Sequence, residues 1–339
     1  PTQPRSTRSC VIWKDNRERE TGMRIEIAQA AECLKQCEDV YILIHQSPDG
    51  DCVGAGFALM QLLHAMGKRA KVLCPEPIPA RYGFLTAPDS GEFPAKYVIG
   101  VDVADLQLLG NLRSTYEGHV DLCIDHHISN TDYADRVCVD PDASAACQVL
   151  YEIIQALGMP LTDCMAACIY TGIATDTGCF KYENATARAH EIVAKLKREH
   201  ALPYARINRN MFDVKSLGRL KMERAVMEIM EFYLDGRCTM ICVTQDILRQ
   251  MQVEEAELDG IAGLPLQVEG VEVGVTLKEK EPGFYKISMR SADRANVSRI
   301  CGQLGGGGHV KAAGCALRGT LSQVKEILVR AVEQELALL

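Results

Sequence analysis

The chain has 339 residues, 47% of them hydrophobic and 24% charged, and carries a formal net charge of -8. This composition excludes collagen-like, coiled-coil and largely disordered classes, and at roughly 100–200 residues per domain the length predicts about two domains. The acidic balance argues against a protein that coats long duplex DNA or an anionic membrane, while small anionic ligands stay open wherever a site gathers local cations.

Residues 1–23 are polar, carry both charge signs and lack the apolar centre of a signal peptide, and Asp15, Glu18 and Glu20 argue against a mitochondrial transit segment. We expect an extension without catalytic function, with Met23 a candidate natural start. RIEIAQAAECLKQC (24–37) has a helical period. Short apolar runs follow at VYILIH (40–45), AKVLC (70–74), KYVIGVD (96–102) and VDLCID (120–125), separated by helix-compatible stretches such as FALMQLLHAMG (57–67). Repetition of strand, helix, strand predicts a mainly parallel sheet covered on both faces. Helices are expected at 143–158, 161–176 and 185–200, which completes a first domain over 24–205.

Residues 206–235 read as a helical linker, with Leu217, Leu220, Val226 and Ile229 on its packing side. The pattern then becomes strand-rich: RCTMICVT (237–244), VEVGVTLKEK (271–280) and GFYKISMRS (283–291), the last two joined by a Glu-Pro-Gly turn. An amphipathic helix over 321–339 closes the chain. The expected fold is α/β in two domains. An N-terminal parallel sheet is flanked by helices, a smaller α/β domain with a mixed sheet spans 236–339, and the active site lies in the cleft between them.

Fifteen cysteines, an odd number without CxxC pairs, do not read as a disulfide framework. They are expected to be reduced and to serve as small buried hydrophobes in a reducing cytosol. No apolar run reaches the roughly 18–20 residues of a membrane span, so a cytoplasmic location is expected.

Three predicted strands end in acids and imidazoles: His45 with Asp49 and Asp51 just beyond, then Asp102, then Asp125 with His126 and His127. Ligands of an open parallel sheet bind at the carboxyl ends of its strands, so these groups should converge. Each aspartate alone is an ordinary helix cap or turn former, but capping requires neither His45 nor the His126–His127 pair. Carboxylates and imidazoles without thiolate suit Mn²⁺ or Mg²⁺, and their number suggests two ions, a device for displacement at phosphorus. Asp176, where a long apolar helix meets a Gly- and Thr-rich turn, is a further candidate ligand. In LGGGGHVKAAGC (304–315), successive glycines could expose backbone N–H groups to a phosphate or a base edge. His309, Lys311, Arg290 and Arg294 add local positive charge.

HQSPDGD (45–51), VDVAD (101–105), DHH (125–127), TGIATDTGCF ending at Phe180, and GGGGHVKAAG (305–314) resemble, in order and spacing, the DHH phosphoesterase superfamily with its DHH-associated C-terminal domain. Within it the chain looks most like the bacterial nanoRNase and 3′-phosphoadenosine-5′-phosphate (pAp) phosphatase subfamily. The resemblance implies His45, Asp49 and Asp102 as ligands of one Mn²⁺ and Asp51, Asp102, His126 and Asp176 as ligands of a second, with Mg²⁺ or Co²⁺ as other working metals. It places Asp125 behind the ligands, orienting its neighbour, and His127 on the scissile phosphate as general acid. It assigns the substrate nucleotide to Arg290, Gly306, Gly307, Gly308 and His309, with Asn296 and Ser291 nearby. The implied activity is hydrolysis of short single-stranded RNA of about two to five nucleotides, together with dephosphorylation of pAp to AMP. Cleavage of cyclic dinucleotides or their linear products stays open, as do a nucleotide-binding regulator and a homodimer.

Overall fold

The computed structural model describes residues 22–253, 258 and 260–339. The extension expected over 1–23 lies outside the described residues up to position 21. Two compact units divide between Val214 and Lys215.

The first unit runs β1 (Met23–Arg24), α1 (Ile27–Gln36), β2 (Val40–Leu43), α2 (Gly50–Ala65), β3 (Ala70–Leu73), β4 (Tyr97–Val101), α3 (Arg113–Tyr116), β5 (Leu122–Asp125), β6 (Arg136–Val139), α4 (Ala146–Ala156), α5 (Asp163–Asp176), α6 (Ala187–Glu199) and α7 (Tyr204–Asn208). Every strand pairs in parallel, in the order β1-β6-β5-β4-β2-β3. After β2 the chain places β3 on one side, and β4 then returns on the other, so the strand order reverses between β2 and β4. At such a switch point the connections leave in opposite directions and open a crevice at the carboxyl ends of the strands.

Both sheet faces are covered, but unequally. Val40, Ile42, Ile99, Val101, Leu122 and Ile124 pack with α1, α2, α4, α5 and α6 in one core. Tyr41, Leu43, Val98, Cys123 and Val137 pack instead against Phe93, Leu109 and Tyr116, from short turns and α3. The segment between β3 and β5 thus does with irregular structure what long helices were expected to do.

Helix α2 begins at Gly50, seven residues earlier than the sequence pattern suggests. Its glycines are packing positions. A Cβ on Gly50 would stand 2.4 Å from Thr175 Oγ1, one on Gly54 2.6 Å from the Cys168 carbonyl oxygen, and one on Gly56 2.8 Å from Ile44 Cγ2. All but three residues of α2 are buried. The resulting close approach of α2 to α4 and α5 holds the acidic start of the helix rigidly.

The second unit contains α8 (Leu217–Glu228), β7 (Glu231–Tyr233), β8 (Cys238–Val243), α9 (Gln245–Met251), β9 (Val273–Glu281), β10 (Phe284–Ser291), α10 (Val297–Gln303), β11 (Gly307–His309), β12 (Ala312–Arg318) and α11 (Leu321–Leu336). Its sheet is mixed, in the order β11-β12-β10-β9-β8-β7, with β8 and β9 parallel and the other pairs antiparallel. Residues 206–234 are not one helix. After α7 a wider π turn over Arg209–Asp213 ends in extended backbone at Val214, and Ser216 restarts the helix by accepting a hydrogen bond from Arg219 N at 2.9 Å. A serine hydroxyl satisfies an N-terminal amide better than it serves a helix interior. The restart turns Met222 and Val226 inward and leaves Leu217 and Leu220 exposed, 69% and 50% accessible.

The fourteen described cysteines are all unpaired and eleven are buried, in keeping with their expected use as small apolar fillers. Among the described residues no helix is long and apolar enough to cross a membrane.

Candidate metal centre

The strands flanking the switch point supply the first two donors, His45 just beyond β2 and Asp102 at the end of β4, with His45 Nε2 3.5 Å from Asp102 Oδ2. Asp49 is the N-cap of α2. Its Oδ1 accepts from the Asp51 and Cys52 amides, each at 3.0 Å, and also lies 3.7 Å from His45 Nε2. The ordinary capping role and the candidate ligand role therefore coincide in one residue. Asp51, in the first turn of α2, points the other way, its two carboxylate oxygens accepting from the amides of Ala146 (2.6 Å) and Cys147 (2.9 Å) at the start of α4. The positive end of that helix favours negative charge, but burial outweighs it and pushes the Asp51 carboxyl up.

From β5 come His126 and His127. His126 Nε2 lies 3.4 Å from Asp176 Oδ2 at the last residue of α5, 3.7 Å from Asp102 Oδ1 and 3.9 Å from Asp51 Oδ2. His127 Nδ1 lies 3.6 Å from Asp102 Oδ1 but donates to Asp125 Oδ1 at 2.8 Å. The donors form three overlapping clusters: His45, Asp49, Cys52 and Asp102; Asp102, His126 and His127; Asp51, His126 and Asp176. Asp102 belongs to two of them and Asp125 to none. The reading from sequence did not include Cys52, whose place in the first turn of α2 after Asp49 brings its sulfur to the same spot. Burial pushes this thiol well up, so it is held as the neutral thiol.

Most contacts within the clusters exceed hydrogen-bond length, the separation of groups that share a cation rather than a proton. Asp102 states this most directly. It is 3% exposed, and its Oδ1 is buried without a hydrogen-bond partner. Its backbone sits at φ +58°, left-handed for a non-glycine residue. Such an orphaned carboxylate oxygen needs a positive partner, and the oxygen and imidazole donors around it fit a divalent metal.

The electrostatics agree. Burial, reinforced by Asp51 and Asp49, holds the Asp102 carboxyl far above its usual range, with His45 pulling the other way. Asp176 rises from 3.8 to about 8 through burial and the same two neighbours. Without a cation, Asp51, Asp102 and Asp176 keep protons, while, against burial, His45 and two backbone amides hold Asp49 below its usual range. The folded state then binds more protons than the unfolded chain between about pH 5 and about pH 8, so stability falls as pH rises through that window. We expect the melting temperature of metal-free protein to decline across it, and a saturating divalent metal to flatten the slope. A rise instead, seen by calorimetry, would contradict this acid cluster.

In the second unit, Arg290, Gly307 and Gly308 line a groove of ≈ 660 Å³ on the open face of β10–β12, with Lys286, Ser288 and Gly314. Lys286, Ser288 and Arg290 alternate along β10, so they share the face opposite the core residues Tyr285, Ile287 and Met289. The sequence reading named only Arg290, although period-two spacing could have found the other two. Gly306, His309 and Asn296 are not among the lining residues. Asn296 caps α10, accepting from Arg299 N at 3.0 Å, and His309 ends β11, exposed. Ser291 is buried, while Lys311 and Arg294 donate to the carbonyls of Ala292 and Leu339.

The expected row of exposed N–H groups is only partly present. Gly305 N and Gly306 N donate to Gly302 O and Cys301 O, and Gly307–His309 pair as a strand with β12. Gly306 is there because a Cβ would stand 2.1 Å from Gly314 O.

The DHH family N-terminal domain is recognised over residues 39–173 and the DHHA1 domain over residues 241–338. The chain is 33% identical over 316 residues to the bifunctional oligoribonuclease and PAP phosphatase NrnA of Thermus thermophilus, covering 90% of this chain and 93% of that protein. It is 26% identical over 284 residues to the probable NrnA of Streptococcus mutans, covering 83% and 90%. An exopolyphosphatase-related protein from Bacteroides fragilis shares the fold at TM-score 0.81, with 23% identity over 91% of this chain and 95% of that one. With the acid and imidazole motifs gathered at the switch point and a DHHA1 domain following, the chain belongs to the DHH phosphoesterase family.

Proposed function

We propose that this chain is a cytoplasmic, Mn²⁺-dependent phosphoesterase that degrades short oligoribonucleotides to mononucleotides and removes the 3′-phosphate of pAp. The observation that carries the reading is the buried Asp102 carboxylate, whose unpartnered Oδ1 faces His126 and His127 while Oδ2 faces His45, so that it joins donor clusters drawn from β2, α2 and β5. His45, Asp49 and Asp102 would hold one ion and Asp51, Asp102, His126 and Asp176 the other. Bound there, such ions supply activation of an attacking water and neutralisation of charge on the phosphoryl oxygens.

The chain's own groups do the rest. Asp125 holds the Nδ1 proton of His127, which leaves Nε2 to face the substrate and pass a proton to the leaving oxygen. Arg290 and Lys286 give the groove of the second unit positive charge for an anionic nucleotide. The relatives named NrnA support both substrates, since each presents a terminal nucleotide.

The test is a side-by-side assay with Mn²⁺ on pAp, a dinucleotide, a five-nucleotide RNA and a cyclic dinucleotide. Turnover of the first three, with kcat/KM well above that for the cyclic compound, is expected. Preference for the cyclic compound would overturn the substrate assignment, and no turnover of any would leave a nucleotide-binding regulator.

A further inference from the structure

Asp125 is fully buried, and each of its carboxylate oxygens is occupied by hydrogen bonds. The two oxygens divide the work. Oδ1 accepts from His126 N (2.8 Å), His127 N (3.3 Å) and His127 Nδ1 (2.8 Å), all within the same tripeptide. Oδ2 accepts from Asn130 Nδ2 at 2.6 Å.

Asn130 is itself 8% exposed and held from three sides. Its Oδ1 accepts from Asp132 N at 2.9 Å, which fixes the amide so that the nitrogen must face Asp125. Its own N–H donates to the His127 carbonyl at 3.1 Å. Nδ2 also approaches Val103 O at 3.4 Å, on the residue that follows Asp102. One buried amide thus braces the carboxylate behind His127 and the backbone beside Asp102.

We propose that Asn130 is a positioning residue for hydrolysis: its amide locks Asp125 in the rotamer that holds His127 Nδ1, and so aims Nε2 at the substrate. The inference rests on the phosphoesterase reading for its kinetic part only. Without this donor, Oδ2 would be a buried carboxylate oxygen with no partner, which Asp125 escapes by rotating. That rotation loosens the Nδ1 contact. Partners that orient a reacting imidazole commonly account for about 10–100-fold in activity.

The experiment compares Asn130→Ala with Asn130→Leu, which keeps most of the volume and removes the donor without placing a second acid against Asp125. Both are made in the wild-type and His127→Ala backgrounds, with folding checked by circular dichroism. We expect kcat to fall about 10–100-fold with KM within about twofold, and no further fall beyond about twofold when His127 is already alanine. A kcat that does not fall, or an equal loss in the His127→Ala background, would overturn the proposal. A second readout needs no activity. In metal-free protein the hydrogen-bonded Nδ1 proton of His127, assigned by its absence in His127→Ala, should shift upfield or broaden in both Asn130 variants. An unchanged resonance overturns the relay. If wild-type protein turns over none of the substrates, the functional reading fails while this spectrum still decides the role of Asn130.

Discussion

Asp102→Ala should abolish metal-dependent hydrolysis, lowering kcat/KM on the order of 10³-fold or more, while the metal-free chain keeps or gains stability. The residue lies buried among like charges, its Oδ1 has no partner, and Asp51 and Asp49 reinforce burial in pushing its carboxyl upward. Removing it relieves the cost of holding an acid buried among others, which a bound proton or a cation otherwise offsets. The left-handed backbone at φ +58° complicates alanine, which costs about 1 kcal/mol there. Asp102→Asn separates the two effects, because asparagine tolerates that conformation and keeps the shape without the charge. Metal-free Asp102→Asn should melt above wild type, and in both variants the rise in melting temperature on adding Mn²⁺ should shrink or vanish. Full activity in the alanine variant, or an undiminished metal-induced shift, would remove Asp102 from the centre.

Gly172→Ala should produce the second large effect, at a position that touches no substrate. A Cβ there would stand 2.2 Å from Cys147 Sγ and 2.6 Å from Asp51 Oδ1. Since Cys147 N and Ala146 N are the donors that hold Asp51, a methyl group wedged between α5 and α4 would displace the ligand together with its support. Overpacking of this kind costs about 1–3 kcal/mol, opposed by alanine's helix propensity of about 1 kcal/mol over glycine. A melting temperature lower by several degrees is expected, with a fall in kcat on the order of 10²-fold from the misplaced carboxylate. Cys147→Ala would not relieve the clash, because the new Cβ would still stand 2.8 Å from the Cβ of residue 147 and 2.6 Å from Asp51 Oδ1. A Gly172→Ala variant as stable and active as wild type would show that the contact does not govern the site.

The metal motifs were legible because each follows a short apolar run, so a pattern of buried strands already lines up the ends of β2, β4 and β5. The strand order that makes β2 and β4 neighbours is not written in any local pattern. The start of α2 was placed late because Gly50, Gly54 and Gly56 lower helix propensity, and only the neighbours Thr175, Cys168 and Ile44 show what those glycines accommodate. β11 and β12 escaped notice since Ala312, Ala313 and Gly314 carry little strand propensity, and their pairing depends on backbone approach. Asn130 belongs to no sequence pattern that marks it out, because asparagine is common in turns. Its contact with Asp125 appears only once the turn after β5 folds back beneath the histidines.

The burial of the thiols offers a practical handle. Among the described residues Cys164 is the one exposed cysteine, in the first turn of the helix that ends at Asp176. Twelve residues of helix separate the two, about 18 Å at 1.5 Å per residue. With Cys10, which lies outside the described residues, replaced by serine, a nitroxide attached at Cys164 would stand at a fixed distance from any paramagnetic ion held by Asp176. Its relaxation would then report ion occupancy directly, without turnover of any substrate.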